Sequence, residues 1–424
     1  MLDINRIEKN TDEVTALLAR KGWEVDLKPI VAQIGEKRAL IHKIEQVKAE
    51  VNRLSGQVPL LKKEGKDVAP IFATVKQLNA SIVEDEKALK ALEEKINETL
   101  FALPNTPDPD LKAGGKENNE VVEVFGTVPT FSFPIKDHVE LATSLKLVDY
   151  GRAAKISGAG TWIYTNVGAR LEWALINFFI SEHLKDGYEF ILPPHLLNDE
   201  SGFTAGQFPK FRQDVFWLDG VEPKRFLLPT AETALVNLHR NEILKPTDLP
   251  RKYFAYTPCY RCEAGSYRQE ERGMIRGYQF NKVELVQYTS ETDSDSAFIE
   301  MVNKAANLVK KLGLHFRVSQ LAAGDCSHAM ARTSDIEVYI PSMGIYKEVS
   351  SASNARDYQA RRGMMRYRNA EGKTKFMHTL NASGLATSRL IPAILEQFQQ
   401  ADGSVLVPEV LRPFIGLDVI KLTK

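Results

Sequence analysis

The first hundred residues of this 424-residue chain carry the pattern that most restricts its fold. From Leu40 the apolar positions run Leu40, Ile44, Val47, Val51, Leu54, Val58 and Leu61. Spacings that alternate four and three form a heptad seam, the mark of a helix that packs along one narrow stripe. After Lys62-Lys63-Glu64-Gly65-Lys66-Asp67 the seam restarts as Ile71, Val75, Leu78, Ile82, Leu89, Leu92 and Ile96, with Asp85 at its one polar position. Two seams of similar length around a charged, glycine-containing turn predict an antiparallel helical hairpin. About 35 residues at ~1.5 Å each make a rod on the order of 50 Å long. Pro70 suits the first turn of the second helix, and Pro59 is expected to kink the first near its tip. The basic residues Lys37, Arg38, Lys43, Lys48 and Arg53 are matched by acids. The seam therefore fits a spacer or dimerisation coiled coil and equally a lever that reaches a large partner.

Pro104-Asn105-Thr106-Pro107-Asp108-Pro109-Asp110 ends the helical texture, and Lys112 to Asn119 is polar and glycine-rich. The expected organisation is an N-terminal arm over 1–103, a linker over 104–119 and a second domain over 120–424. Beyond the linker, Leu171 to Leu184 reads as a helix. Arg225 to Pro229, Tyr253 to Arg261, Gln279 to Gln287 and Ile336 to Pro341 read as strands. Helices and strands do not alternate strictly, and strands pair around polar loops, so an antiparallel α+β domain is expected.

Fifty-five basic residues balance fifty-five acidic ones, so any nucleic-acid site must be local. The N-terminus lacks the apolar core of a signal peptide, and no run approaches the ~18 apolar residues of a membrane span. Three cysteines cannot build a disulfide framework and fit a reducing compartment, so a cytoplasmic protein without membrane partners is expected. Cys259 and Cys262 stand three apart in a strand-like run and would face opposite ways, so no zinc site is expected. Gly372-Lys373-Thr374 resembles the end of a phosphate-binding loop, but Tyr367 occupies the place of its first glycine.

The chemistry concentrates in Tyr260-Arg261-Cys262-Glu263, in the polar loop that follows, and in Gly277-Tyr278-Gln279-Phe280-Asn281-Lys282-Val283-Glu284. Strand alternation places Arg261 and Glu263 on one face, and Phe280, Lys282 and Glu284 on one face of a returning strand. A guanidinium for phosphate, a carboxylate for an exocyclic amine and a ring for stacking suit a nucleotide. Ile345-Tyr346-Lys347-Glu348-Val349-Ser350-Ser351 adds a carboxylate and a hydroxyl able to hold Mg²⁺ with phosphates. Leu380-Asn381-Ala382-Ser383-Gly384-Leu385-Ala386-Thr387-Ser388-Arg389 places a polar turn before an apolar helix.

These residues resemble the class II aminoacyl-tRNA synthetases. Gly187-Tyr188 leading to Pro193-Pro194 resembles motif 1, residues 260–263 motif 2, and the Arg389 helix motif 3. Pro229-Thr230-Ala231-Glu232, Glu263-Ala264-Gly265-Ser266, Arg272-Gly273-Met274-Ile275-Arg276, Glu348-Val349-Ser350-Ser351 and Asn381-Ala382-Ser383-Gly384-Leu385-Ala386 resemble the seryl-tRNA synthetases. So do the opening Met1-Leu2-Asp3-Ile4 and the hairpin.

The resemblance implies a class II antiparallel sheet behind a coiled-coil arm, and a ligase that activates L-serine with ATP and Mg²⁺. The seryl group would then pass to tRNA(Ser), and to tRNA(Sec) where present. It implies Arg261, Glu348 and Arg389 as catalytic residues. ATP would be bound by Arg261, Cys262, Glu263, Phe280, Glu348, Val349, Ser350, Ser351 and Arg389, with Glu348 and Ser351 on Mg²⁺. Serine would be bound by Thr230, Ala231, Glu232, Arg261, Glu284 and Ser383. A homodimer is implied, since motif 1 lies at the family's subunit interface. Arg268-Gln269-Glu270-Glu271-Arg272, Tyr278, Cys262 and Thr387-Ser388 depart from the family's usual residues. Two rival readings are a non-catalytic tRNA-binding paralogue, which would be expected to lose Arg261, Glu263, Glu348 or Arg389, and an amino acid:carrier-protein ligase, which would lack the arm.

Overall fold

The computed structural model describes residues 1–263 and 273–422. The chain divides into two compact units, one formed by 2–19 with 23–103 and the other by residue 1, 20–22 and 104–424.

In the first unit, helices α1 (Ile4–Lys9) and α2 (Thr11–Arg20) precede the long α3 (Lys28–Lys63) and α4 (Ala69–Ala102). The two long helices form a hairpin whose seam follows the heptads. Ile44, Ile82 and Ile96 are buried, and the other seam residues are less exposed than their neighbours. Asp85, the polar seam position, accepts a 2.8 Å hydrogen bond from Lys43 Nζ across the hairpin, and Lys37–Glu93 and Lys48–Glu86 add further rungs. Helix α3 continues past Pro59, which has no N–H to bond back to Ser55, and ends at Lys63; Pro70 is the second residue of α4.

The second unit is built on a sheet of eight strands: β1 (Glu120–Phe125), β2 (Glu189–Phe190), β3 (Arg251–Tyr260), β4 (Gln279–Thr289), β5 (Phe316–Gln320), β6 (Arg332–Ile340), β7 (Ile345–Asn354) and β8 (His378–Ala386). Their order is β1-β5-β6-β7-β8-β4-β3-β2, antiparallel throughout except for the edge pair β2–β3. The expected α+β class is therefore the observed one. Strands around Arg225, Tyr253, Gln279 and Ile336 and the helix around Leu171 all form, each extended or trimmed by a few residues.

Strand alternation sorts the sheet into two faces. Val283 and Leu285 of β4 and Leu380 and Ala382 of β8 enter a core with Leu171, Leu175 and Phe179 of helix Asn166–Lys185 and Leu390 and Ile394 of helix Thr387–Gln397. The alternate residues Lys282, Glu284, Asn381 and Ser383 therefore face away from that core. Segment 104–111 is bound to this unit. Asn105 donates to the carbonyls of Ala329 and Ala355, and Asp108 is bridged by Arg332 and Arg356.

Helix Asn166–Lys185 lies so close to the chain before it that a Cβ at Gly168 would stand 2.1 Å from the Leu147 carbonyl oxygen. That oxygen already accepts from Thr165 N and is backbone, so it cannot swing aside. Gly168→Ala is expected to cost roughly 1–3 kcal/mol, the usual penalty of overpacking. Thermal unfolding would show a midpoint lower by a few degrees. An unchanged midpoint would contradict the close packing.

Candidate active site

The face of the sheet turned away from the helical core opens into a cavity of about 530 Å³, a size suited to a small-molecule substrate. Its floor is β4. Lys282 and Glu284 are two residues apart on that strand, both almost fully buried, and form an ion pair. Lys282 Nζ also donates to Thr230 Oγ at 2.8 Å. Thr230 reaches the site because Pro229-Thr230-Ala231 leads into the short helix Glu232–Leu235. Ser383 of β8 is the register partner of Glu284, so the two side chains lie abreast on the cavity wall.

Glu232 is held from two directions. Its Oε1 accepts from Gln359 Nε2 at 2.8 Å and from Asn381 Nδ2 at 3.0 Å. Burial pushes its carboxyl up from the ordinary 4.5 to about 7, and the charge of Glu284 adds to the rise. The Gln359 hydrogen bond and the cations Lys282 and Arg261 offset part of it.

A second neighbourhood carries the guanidinium groups. Arg261 follows directly on β3. Its Nε donates to Pro229 O at 3.3 Å, and its guanidinium lies 5.1 Å from the Phe280 ring centroid. Glu263 has φ +49°, a left-handed conformation uncommon for glutamate, and pairs with Arg276. Strand β3 ends at Tyr260, so the expected shared strand face for Arg261 and Glu263 does not exist. The turn brings both to the cavity instead. Arg389, in the first turn of helix Thr387–Gln397, donates to Glu348 O at 2.8 Å and lies 3.6 Å from the Glu348 carboxylate.

Glu348 and Ser351 both line the cavity although they stand three apart on one strand. A bulge explains this: Glu337 pairs with Glu348 and Ile336 with Ser350, so Val349 is an extra residue that shifts the alternation by one. Asp335 is the register partner of Ser351, and its Oδ1 is buried without a hydrogen-bond partner. Burial holds the Asp335 carboxyl well above its usual range, with Glu348 contributing.

Of the residues expected at the site, Thr230, Glu232, Arg261, Glu263, Glu284, Glu348, Ser351, Ser383 and Arg389 line one cavity. Ala231 and Val349 are buried in the cores, and Ser350 Oγ donates to Ser383 O. Cys262 is tied through its backbone N–H to Asp214 O, and Phe280 sits beneath Arg261. Residues 264–272, which include Arg268-Gln269-Glu270-Glu271-Arg272, lie outside the described residues. The wall also includes Gln207, Asp214, Arg276, Lys282, Met330 and Asn381, to which no role was expected. Among the described residues the three cysteines are free.

An antiparallel sheet with arginines and carboxylates gathered over one face is the arrangement that comparison with known proteins identifies as a class II aminoacyl-tRNA synthetase core. Residues 216–398 match the tRNA synthetase class II core domain (G, H, P, S and T), and residues 1–107 match the seryl-tRNA synthetase N-terminal domain. A serine--tRNA ligase from Clostridium acetobutylicum is 57% identical over 99% of this chain and all of its own length. One from Thermodesulfovibrio yellowstonii is 42% identical over 99% of this chain and all of its own length. The crystal structure of seryl-tRNA synthetase from Pyrococcus horikoshii complexed with ATP superposes with a TM-score of 0.93 at 30% identity, covering both chains fully. A cytoplasmic serine-tRNA ligase from Naegleria fowleri in complex with AMP gives 0.88 at 25% identity, covering this chain fully and 99% of its own. The chain belongs to the seryl-tRNA synthetases, ligases that use ATP to join serine to tRNA. Among the described residues no helix is long and apolar enough to cross a membrane.

The shifted Glu232 carboxyl sets a pH dependence of stability. The unfolded chain ionises Glu232 near 4.5, whereas the folded protein keeps the proton to about 7. The folded state thus binds the extra proton, and its stabilising effect, complete below about 4.5, is lost as pH rises through 7. Glu232→Gln keeps an acceptor for both amides and never pays that ionisation. It is expected to be more stable than wild type at pH 8 by up to about 2–3 kcal/mol, read as a higher unfolding temperature, with the gap narrowing toward pH 5. A gap independent of pH would contradict the assignment.

Proposed function

We propose that the cavity divides its substrates by charge. Glu232 and Glu284 take the serine ammonium and hydroxyl, with Thr230, Ser383 and the Ala231 backbone completing the pocket. A site built to pair a hydroxyl leaves its own polar groups unpaired when alanine enters, and so rejects it strongly. Threonine is excluded by size. Arg261 bridges the serine carboxylate and the ATP α-phosphate. Glu263 accepts from the adenine amine, Phe280 stacks on the base, and Arg389 covers its other face and reaches the γ-phosphate. Cys262, Val349 and Ser350 shape the ATP site through their backbone. What supports this reading above all is that buried Glu284, half-buried Glu232 and three arginines converge on one cavity in a member of this family.

A serine carboxylate oxygen attacks the α-phosphorus, the bond to the bridging β-phosphate oxygen breaks, and pyrophosphate leaves. Arg261 and Arg389 neutralise charge that builds on the phosphates. This chemistry needs placement and electrostatics more than a protein nucleophile. Glu348 and Ser351 suit Mg²⁺, with a carboxylate and a hydroxyl on the cavity wall. Mg²⁺ commonly keeps several waters and takes one or two protein ligands together with substrate phosphates, which suits a site offering Glu348 and Ser351. When bound, Mg²⁺ would neutralise and orient the β- and γ-phosphates. The terminal adenosine hydroxyl of tRNA then attacks the activated carbonyl and AMP leaves.

Residues 1–103 serve in this reading as the arm that grips tRNA(Ser), and tRNA(Sec) where present; 104–119 connect it to the catalytic unit, 120–424. A cytoplasmic homodimer is the proposed form. Exposed Trp173 on helix Asn166–Lys185, with Phe190, Leu192 and Leu196 in and just after the motif 1 segment 187–194, supplies apolar surface for a second copy.

The two roles are separable by experiment. Deleting residues 36–95 is expected to leave serine-dependent ATP–pyrophosphate exchange intact and abolish tRNA charging. Arg261→Ala is expected to lower exchange itself by at least about 100-fold, the scale of losing an electrostatic transition-state contact. Charging by the armless protein, or normal exchange by the Arg261 variant, would refute the corresponding role.

A further inference from the structure

Gln359 is 1% exposed on helix Tyr358–Gly363 and does not line the cavity, yet three separate elements converge on its amide. Its Nε2 donates to Ala205 O at 2.9 Å and to Glu232 Oε1 at 2.8 Å. Its Oε1 accepts from Thr379 Oγ of β8 at 2.6 Å. A backbone carbonyl can only accept, so the Ala205 contact fixes which end of the amide is nitrogen. That end is the one facing Glu232. Asn381, two residues after Thr379 on the same strand, brings the second N–H to the same carboxylate oxygen. Glu232 Oε1 is thereby fully engaged, and Oε2 is left for substrate and for any proton.

We propose that Gln359 is a positioning residue of serine recognition, locking the Glu232 carboxylate in one orientation through the Thr379–Gln359–Glu232 chain. The proposal rests on the reading of Glu232 as a serine ligand. A half-buried glutamate facing another carboxylate, Glu284, would otherwise turn or take up a proton, and either response removes the acceptor that an ammonium and a hydroxyl require. The charged groups facing Glu232 are Glu284 and Lys282 from β4 and Arg261 from the end of β3. Gln359 donates only to the ionised group's benefit, so its loss favours the protonated form.

The test is amino-acid-dependent ATP–pyrophosphate exchange on the full chain, measured as a function of pH for wild type and Gln359→Met, which keeps the volume and loses the donor. The expected result is a serine KM raised about tenfold or more, the scale of one hydrogen bond to a charged group, with the ATP KM within twofold of wild type. The pH at which serine kcat/KM falls off, near 7 in wild type, is expected to move upward. Thr379→Val, which frees Gln359 without removing it, is expected to move both in the same direction by less, and it serves where Gln359→Met folds poorly. Serine and ATP KM rising together, or an unmoved pH break, would overturn the proposal and leave Gln359 as core packing. Glu232→Gln separates the two layers. If that variant keeps a wild-type serine KM, the ligand reading of Glu232 fails; if it raises KM while Gln359→Met does not, only the positioning role fails.

Discussion

The catalytic unit is organised around one buried ion pair. Lys282 and Glu284 share a face of the strand at the middle of the sheet, 6% and 2% exposed, where an isolated charge is expensive. Each offsets the cost of the other, and the surrounding groups are arranged about them: Thr230 accepts from the lysine, and Ser383 stands beside the glutamate. Lys282 pairs with Glu284 and not with Glu232. Burial and the neighbouring Glu284 charge displace Glu232 to about 7, and Lys282 and Arg261 offset only part of that rise. In the proposed reading, that leaves room for the serine ammonium beside the two carboxylates.

The same reading explains the division of labour across the cavity. Substrates of this reaction pair a zwitterion with a polyanion, and a site that mixed its charges evenly would hold neither in register. Here Glu284 of β4 and Glu232 stand beside Ser383 and Asn381 of β8, while Arg276 pairs with Glu263 and Arg389 with Glu348. Glu284 and Glu348 sit on strands and Glu232 and Arg389 at helix starts, which gives those groups the placement that transfer chemistry needs.

Much of this was legible in the sequence because it follows from periodicity. The heptad seam yields the hairpin, even to the polar Asp85 that Lys43 answers from the opposite helix. Alternation correctly put Lys282 and Glu284 together. It misled where the chain leaves regular structure. Glu263 lies past the strand end in a left-handed turn, so counting by two from Arg261 had no strand to count along. The bulge at Val349 brings Glu348 and Ser351 to one face, and a contiguous motif could not show that the residues between them face elsewhere. The contacts of Glu232 with Gln359 and Asn381 span 127 and 149 residues, and no local pattern encodes them. Gln207 and Met330 reach the wall in the same way, through tertiary packing alone.

The central claim is that this pocket reads serine through its hydroxyl and ammonium with paired carboxylates. ATP–pyrophosphate exchange measured with each of the twenty amino acids, with Mg²⁺ and without tRNA, tests it most directly. The account predicts exchange with serine and rejection of alanine by several orders of magnitude, as for a site whose polar groups would be left unpaired. Alanine supporting exchange at a rate near that of serine would contradict it.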